Sequence, residues 1–290
     1  MRIAQRNTLN PEEIRKIELL QERCAWEEDL QHQAFLSNEL NFDRTVPCFY
    51  LGYEEEELVA FLNTFFPERE EAEIFAVTHP DYRRRGCFTA LLREARDVLK
   101  GAGVTSFLLM AEPNGKAAAE VRRRYPVHLE RSEYRMELRR EERGTAKEEE
   151  QEICLIPASE ANKADCIQIQ QAAFDELGEE TAHFVQNAID APDRLLCLAE
   201  TGGRAIGTFS LHLQPEGAFL YGVGILPAEQ HKGWGKKLMG LICGEAFRRA
   251  GRILLDVDSG NPAAYSLYLH CGFRVTFQVD YFRCALSAIQ

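Results

Sequence analysis

Tyr221-Gly-Val-Gly-Ile-Leu-Pro-Ala-Glu-Gln-His-Lys-Gly-Trp-Gly-Lys-Lys-Leu-Met-Gly240 is the stretch on which the reading of this chain turns. An apolar run ends at Pro227. A loop follows with Gly233, Gly235 and the lysines Lys232, Lys236 and Lys237, and a helical pattern begins at Leu238. A strand, a glycine loop and a helix start stand in succession. Glycine lets the backbone approach a ligand closely. The free N–H groups and dipole of a helix start favour an anion there. The local expectation is a phosphate cradle. A tight strand-to-helix turn with no ligand is the plainer alternative.

The bulk composition narrows what such a cradle could serve. The chain has 290 residues, 45% of them hydrophobic, which predicts a sizeable core and two domains. Its formal charge of −12 argues against nucleic acid and anionic membranes as partners and leans toward cationic substrates such as amines. Nine cysteines lie scattered without CxxC pairing, as expected of reduced thiols and not of a disulfide frame or a metal site. No stretch is long and apolar enough to span a membrane, so the expectation is a soluble, cytoplasmic protein without a metal.

Residues 139–152 are almost wholly charged and read as a linker. The expected domains are therefore 1–140 and 152–290, joined by a charged segment over 141–151. In the first, Asn10-Pro11 starts a helix, residues 48–53 and 58–66 form a hairpin, and 73–78 is a strand. A basic loop from His79 to Gly86 leads into a helix over 90–99, then strands over 104–110 and 132–138. The second half repeats that order. Pro80 and Pro227 are 147 apart, as are Gly86 and Gly233, Leu91 and Leu238, Asn114 and Asn261, and Tyr134 and Tyr281. Five such pairs at landmark positions predict a duplicated domain.

The loop Gln230-x-x-Gly233-x-Gly235 is neither a dinucleotide fingerprint nor an NTP-binding loop. After it comes Asn261-Pro-Ala-Ala-Tyr-Ser-Leu-Tyr-Leu-His-Cys-Gly-Phe273, which opens on a helix cap with Pro at the first turn and stops at Gly272. Together these two motifs resemble those of the GNAT superfamily of acyl-CoA-dependent N-acetyltransferases. Gln230, Gly233 and Gly235 match the Gln/Arg-x-x-Gly-x-Gly/Ala motif. Asn261, Ala264, Leu267, Tyr268, Gly272 and Phe273 match the later one. The resemblance implies an α/β (α+β) chain of two tandem GNAT-like domains, each a mixed, mostly antiparallel sheet flanked by helices.

The resemblance further implies a use for each motif residue. Val223 and Ile225 would hold the pantetheine arm and thioester carbonyl of acetyl-CoA. The amides of His231, Lys232, Gly233, Trp234, Gly235 and Lys236 would take the pyrophosphate. Asn261 would bond to the pantetheine arm, and Tyr268 would protonate the departing thiolate, a task a positioned phenol can perform. For Tyr268 the plainer reading is core packing. Cys243 and Cys271 read as packing residues, because the amine attacks the thioester directly. For the general base, Asp256, Asp258 and a water chain stay open.

The first half carries a degenerate cradle made of Thr78, Arg83, Arg84, Arg85 and Gly86, with Asn114 downstream; Phe88 replaces the second small residue and no tyrosine matches Tyr268. The expected function is acetyl transfer from acetyl-CoA to a primary amine, on a small molecule or a peptide, catalysed by the second half. The competing readings are an acyl-CoA sensor or regulatory module without turnover, and a structural pseudo-dimer with neither cradle filled. The expected assembly is an intramolecular pseudo-dimer, as a monomer or homodimer.

Overall fold

The computed structural model describes residues 1–67, 69–142, 152–174 and 179–289. It divides into two units, Met1–Glu133 with Phe277–Gln290, and Tyr134–Thr276. The expected linker at 141–151 lies outside the described residues except for 141 and 142, which end a 3-10 turn, Arg140–Glu142.

The first unit opens with β1 (Arg2–Arg6) and α1 (Pro11–Glu28). Asn10 and Glu13 close a reciprocal capping box at the start of α1, with Pro11 at the first helical position. Ile17, Leu20, Gln21 and Cys24 recur at helical spacing and form its buried face. Then come β2 (Phe49–Glu54), β3 (Glu57–Phe65), β4 (Glu71–Thr78), a 3-10 turn at Pro80–Tyr82, α2 (Cys87–Gly101), β5 (Ser106–Ala111) and α3 (Lys116–Arg124). β1 to β5 hydrogen-bond in sequence order; every pair is antiparallel except β4–β5, which is parallel.

The second unit repeats the plan. Its elements are β7 (Cys154–Pro157), α4 (Lys163–Phe174), α5 (Glu179–Asp190), β8 (Arg194–Thr201), β9 (Arg204–Gln214), β10 (Gly217–Ile225), a 3-10 turn at Pro227–Glu229, α6 (Trp234–Phe247), β11 (Arg252–Asp258) and α7 (Pro262–His270). Again β7 to β10 pair antiparallel and β10–β11 parallel. The chain is thus α/β, and in each unit the strands pair in a mixed, mostly antiparallel arrangement flanked by helices.

Two expectations need correcting. The first concerns the closing strands. β12 (Arg274–Ala285) was expected to complete the second domain, but from Phe277 onward it belongs to the first unit. Asp280 to Ala285 pair antiparallel with Ala111 to Ser106, and Cys284, Leu286 and Ile289 are buried in the first core. Conversely β6 (His128–Arg139), expected to close the first domain, lies beside β11, and its Met136 and Leu138 are buried in the second core. Burial of these apolar side chains decides the membership of each strand.

The second concerns the repeat. The offset of 147 is not constant. Core-facing Ala72 and Ala218, and Ile74 and Leu220, are 146 apart. In β10 the register against β9 then shifts between Tyr221 and Gly224, while β4 pairs with β3 without a break. That bulge inserts one residue, and Gly222 takes φ 58° within it. Over the loop and the following helix the offset is 147: buried Leu91, Leu92 and Ala95 match Leu238, Met239 and Ile242. From the next strands on it is 146 again, with Phe107 and Leu109 matching Ile253 and Leu255. Gly115, not Asn114, therefore stands where Asn261 does, at the cap of its helix. Tyr134 and Tyr281 are likewise not equivalent, since Met136 and Leu138 match Phe282 and Cys284.

Removing residues 277–290 should strip β5 of its antiparallel partner and open the first core. Hydrogen exchange is expected to speed up over residues 106–111, while the β9 amides of the second unit keep their protection.

Candidate functional site

In each unit the parallel pairing of the central strands stops partway. β4 and β5 pair only from Glu71–Ser106 to Ile74–Leu109, and β10 and β11 only at Ala218–Ile253 and Phe219–Leu254. Both strands of each pair continue beyond that point, so backbone groups there are released from the ladder. In the second unit the bulge adds to this. Gln170 of α4 donates from Nε2 to the Gly222 carbonyl at 3.0 Å and to Thr208 Oγ1 at 2.7 Å. A Cβ at Gly224 would meet Ala173 Cβ at 2.7 Å, so glycine there permits the close packing of α4 on β10.

The loops beyond the wedges are built alike. After β10, Gln230 donates from Nε2 to the Ile225 carbonyl at 3.0 Å. After β4, Arg83 donates from Nε to the Thr78 carbonyl at 3.1 Å. The Gln/Arg position of the motif is thus a latch that ties the loop to the last residue of its strand. His231 and Arg84 both take φ 61°, and Gly233 and Gly86 take 85° and 82° as the residues that precede α6 and α2. Neither helix start has a side-chain cap, whereas Asn10 caps α1 and Asn261 caps α7. An uncapped helix start reached through two left-handed residues leaves its first N–H groups available to an anion.

Charge around the second cradle is largely engaged. Lys232 pairs with Glu229 at 3.0 Å, and Trp234 Nε1 donates to the same carboxylate at 3.3 Å. Lys237 pairs with Glu152 at 2.7 Å. Gly235 packs on Leu267, whose Cδ2 lies 3.3 Å from where a Cβ would stand. That contact brings α7, and with it Tyr268, to the loop. Tyr268 is 8% exposed, packs on Phe273 at 5.8 Å, and its phenol is pushed up to about 12 by burial. Val223, Ile225, Trp234 and Leu267 pack around the same core. Asn261 Oδ1 accepts the Ala264 N–H at 3.0 Å. Asp256 is held by Arg135, and Asp258 accepts the Gly260 N–H in the turn before α7. Burial raises the Cys271 thiol, which keeps it protonated.

The first unit holds a cavity of about 720 Å³ between the cradle, the ends of β4 and β5, α1 and α3. Its size is that of a small-molecule site. Thr78, Arg83, Arg84 and Gly86 line it. Arg83 also pairs with Glu28, whose side chain is 1% exposed. Arg85 stacks over the Tyr82 ring at 5.0 Å, and Asn114 donates to the Asp29 carbonyl at 2.9 Å, away from a capping role. The sequence offered no sign of Glu28 or Glu112 in this cavity, nor of Gln170 at the bulge. For Glu28 and Gln170 the one available signal was a glutamate or glutamine on the buried face of a helix, and Glu112, at a strand end, carried none. Among the described residues no cluster of His, Cys, Asp and Glu would hold a metal ion, and no helix is long and apolar enough to cross a membrane.

The model of the acetyltransferase (GNAT) family matches residues 12–124 and again 163–273. No curated protein matches the sequence. Among solved structures, a GCN5-related N-acetyltransferase from Sphaerobacter thermophilus is similar with a TM-score of 0.80 at 15% identity, over 98% of this chain and 96% of that one. A GNAT-family acetyltransferase from Colwellia psychrerythraea gives 0.68 at 12% identity, over 98% and 99%. A tandem GNAT protein from the clavulanic acid biosynthesis pathway gives 0.66 at 12% identity, over 98% of each chain. At these identities the likeness is one of fold.

Gly233→Ala should destabilise the second unit by about 1–2 kcal/mol, the cost of an L-residue held in the left-handed region, since nothing lies within 4 Å of the added methyl. Gly240→Ala, on an exposed turn of the same helix with equally open space, should stabilise by about 0.5–1 kcal/mol. Thermal denaturation of the two variants is expected to move in opposite directions.

Proposed function

The chain belongs to the GNAT acetyltransferase family, and on that premise we propose that it transfers the acetyl group of acetyl-CoA to a primary amine, with the chemistry in the second unit. The observation that carries this reading is the contact of Gly235 with Leu267, which joins the cradle to the helix that bears Tyr268. A strand wedge, an uncapped helix start and a buried phenol then share one core.

The residues present fit acetyl-CoA. The first N–H groups of α6 and the loop amides from His231 to Lys236 receive the pyrophosphate, with the helix dipole adding to the attraction. Val223 and Ile225 stand on the part of β10 that no longer pairs with β11, where main-chain groups can hold the pantetheine arm. Asn261 uses Oδ1 as the helix cap, which leaves its Nδ2 to reach that arm. When bound, acetyl-CoA supplies an activated acyl group with a thiolate leaving group. Tyr268 stays protonated at any pH the cell offers. A phenol near 12 is a weaker acid than a thiol near ~8.5. Its contribution is therefore a hydrogen bond to the sulfur as charge develops there, with the proton completed from solvent. Asp256 and Asp258 are both engaged, so a water chain takes the amine proton. The acceptor is an amine of a small molecule or a peptide, drawn toward a protein of net charge −12. We place the reaction in the cytoplasm, where acetyl-CoA and reduced thiols coexist.

Thiol release from acetyl-CoA across an amine panel tests this. For at least one acceptor, Tyr268→Phe should lower kcat about a hundredfold, the scale of losing one hydrogen-bond donor to a developing charge, and leave the Kd for CoA unchanged. Because the donor stays protonated, its loss of a proton should cause no fall in rate between pH 7 and pH 10. Wild-type rates from the variant with every acceptor would remove Tyr268 from the mechanism.

A further inference from the structure

The cavity of the first unit holds a carboxylate that neither motif identifies. Glu112 follows β5 directly and lines the cavity beside Met110 and Ala111. It is 7% exposed. Its Oε1 accepts two backbone N–H groups, from Gln31 at 2.7 Å and His32 at 2.6 Å. Among the described residues its Oε2 takes no hydrogen bond from the protein. One oxygen is thus pinned by the loop after α1, and the other is left to the cavity.

The same cavity is lined by the part of β4 that pairs with β3 but no longer with β5, Phe75 to Thr78. Beyond it lies the cradle of Arg84 and Gly86. One cavity is therefore lined by an uncapped helix start, by backbone that no longer pairs with β5, and by a carboxylate with one open oxygen. Glu28, the other buried carboxylate on this wall, is neutralised by Arg83. Burial raises the Glu112 carboxyl, against the two N–H groups that lower it, which moves it in the direction a base near neutral pH requires.

We propose that Glu112 is the general base of a second acyl-transfer centre, which acetylates a primary amine inside the cavity of the first unit. The proposal rests on the acyl-CoA reading of the chain but not on Tyr268. The amine nitrogen forms a bond to the thioester carbonyl carbon, and the carbon–sulfur bond breaks. An acceptor that arrives as an ammonium ion first gives one proton to Glu112 Oε2, which passes it to solvent and frees the lone pair for attack. Glu112 then takes a second proton from the nitrogen and returns it to solvent, and the thiolate leaves and is protonated from solvent, so that one proton is released overall. The products are the N-acetyl amine and CoA as its thiol, so charge and atoms balance. The acceptor must be small enough to share about 720 Å³ with the end of the pantetheine arm. The carboxylate in the cavity lining favours amines that arrive as cations. The counterpart of Glu112 in the second unit, 146 residues on, is Asp258, which its own turn occupies.

The test uses the full chain with acetyl-CoA and a panel of small amines, amino sugars and polyamines among them. Glu112→Gln keeps an oxygen that can accept from Gln31 and His32 but cannot take a proton. At least one amine should lose about a hundredfold in turnover with Glu112→Gln and be unaffected by Tyr268→Phe. The melting temperature and the Kd for CoA should stay at the parent values. Glu112→Asp, which restores a carboxylate, should recover part of that turnover. If every acetylated amine depends on Tyr268 and none on Glu112, the first unit is a binding site only and the proposal is overturned. Gln and Asp variants that are equally inactive would mark Glu112 as a loop anchor and overturn it as well. Amines lost with Glu112→Gln while none responds to Tyr268→Phe would uphold this centre and sink the assignment to the second unit. No turnover on any amine would sink both.

Discussion

The rest of the structure depends on a break in hydrogen bonding. In each unit two central strands begin as a parallel pair and then cease to pair, β4 with β5 after Ile74–Leu109 and β10 with β11 after Phe219–Leu254. A buried backbone cannot leave its ladder without another partner for its polar groups. The structure offers three. A ligand can insert between the strands. A side chain can reach in, as Gln170 does at Gly222. The following loop can fold back, as Gln230 and Arg83 do onto the last carbonyl of their strands. The cradle is thus the continuation of the wedge: the same latch that satisfies the strand end aims the helix start at it.

The exchanged closing strands follow from the same economy of burial. β5 would be a bare edge beside the first wedge, and an unpaired edge invites pairing with another chain. β12 covers it in register and carries Cys284 into the first core. β6 gives Met136 and Leu138 to the second. The first unit is therefore not a contiguous stretch of sequence, whereas the second is, although each repeats one plan.

Most of that plan was legible in the sequence because it rests on local chemistry. The capping box at Asn10 and Glu13, the glycine at φ 85° before α6 and the Asn261 cap are decided by residues within a turn of each other. The wedge loop is repeated closely enough that Gly86 and Gly233 align by subtraction. What was not legible is non-local. A single bulged residue near Gly222 shifts the offset from 146 to 147 without changing composition, so Asn114 and Tyr134 were matched to the wrong partners. Strand exchange leaves no mark in periodicity, since the alternation of a strand does not say which core its apolar face will meet. The motif search also weighed the first unit by what it lacks, a tyrosine on α3. Its cavity is instead lined by Glu112 and Glu28, at a strand end and a helix end, and their significance depends on which loops fold over them.

The two latches differ in charge but not in what they hold. Gln230 and Arg83 donate to equivalent carbonyls, yet one is neutral and the other charged. The charge of Arg83 is met by Glu28 with its side chain almost wholly buried, so little of it reaches a ligand. In the second unit Lys232 and Lys237 are met by Glu229 and Glu152. Exposed pairs of that kind are individually weak and screened by salt. They offset part of the local positive charge beside the loop. What the two loops share without exception is backbone geometry, a left-handed residue two before a left-handed glycine and an uncapped helix start. An acidic chain can thus hold an anion through oriented N–H groups at fixed spacing while its general surface repels other polyanions. On the proposed function, discrimination in favour of a phosphate that fits the loop falls to shape, and side-chain charge is left to set what approaches the acceptor end.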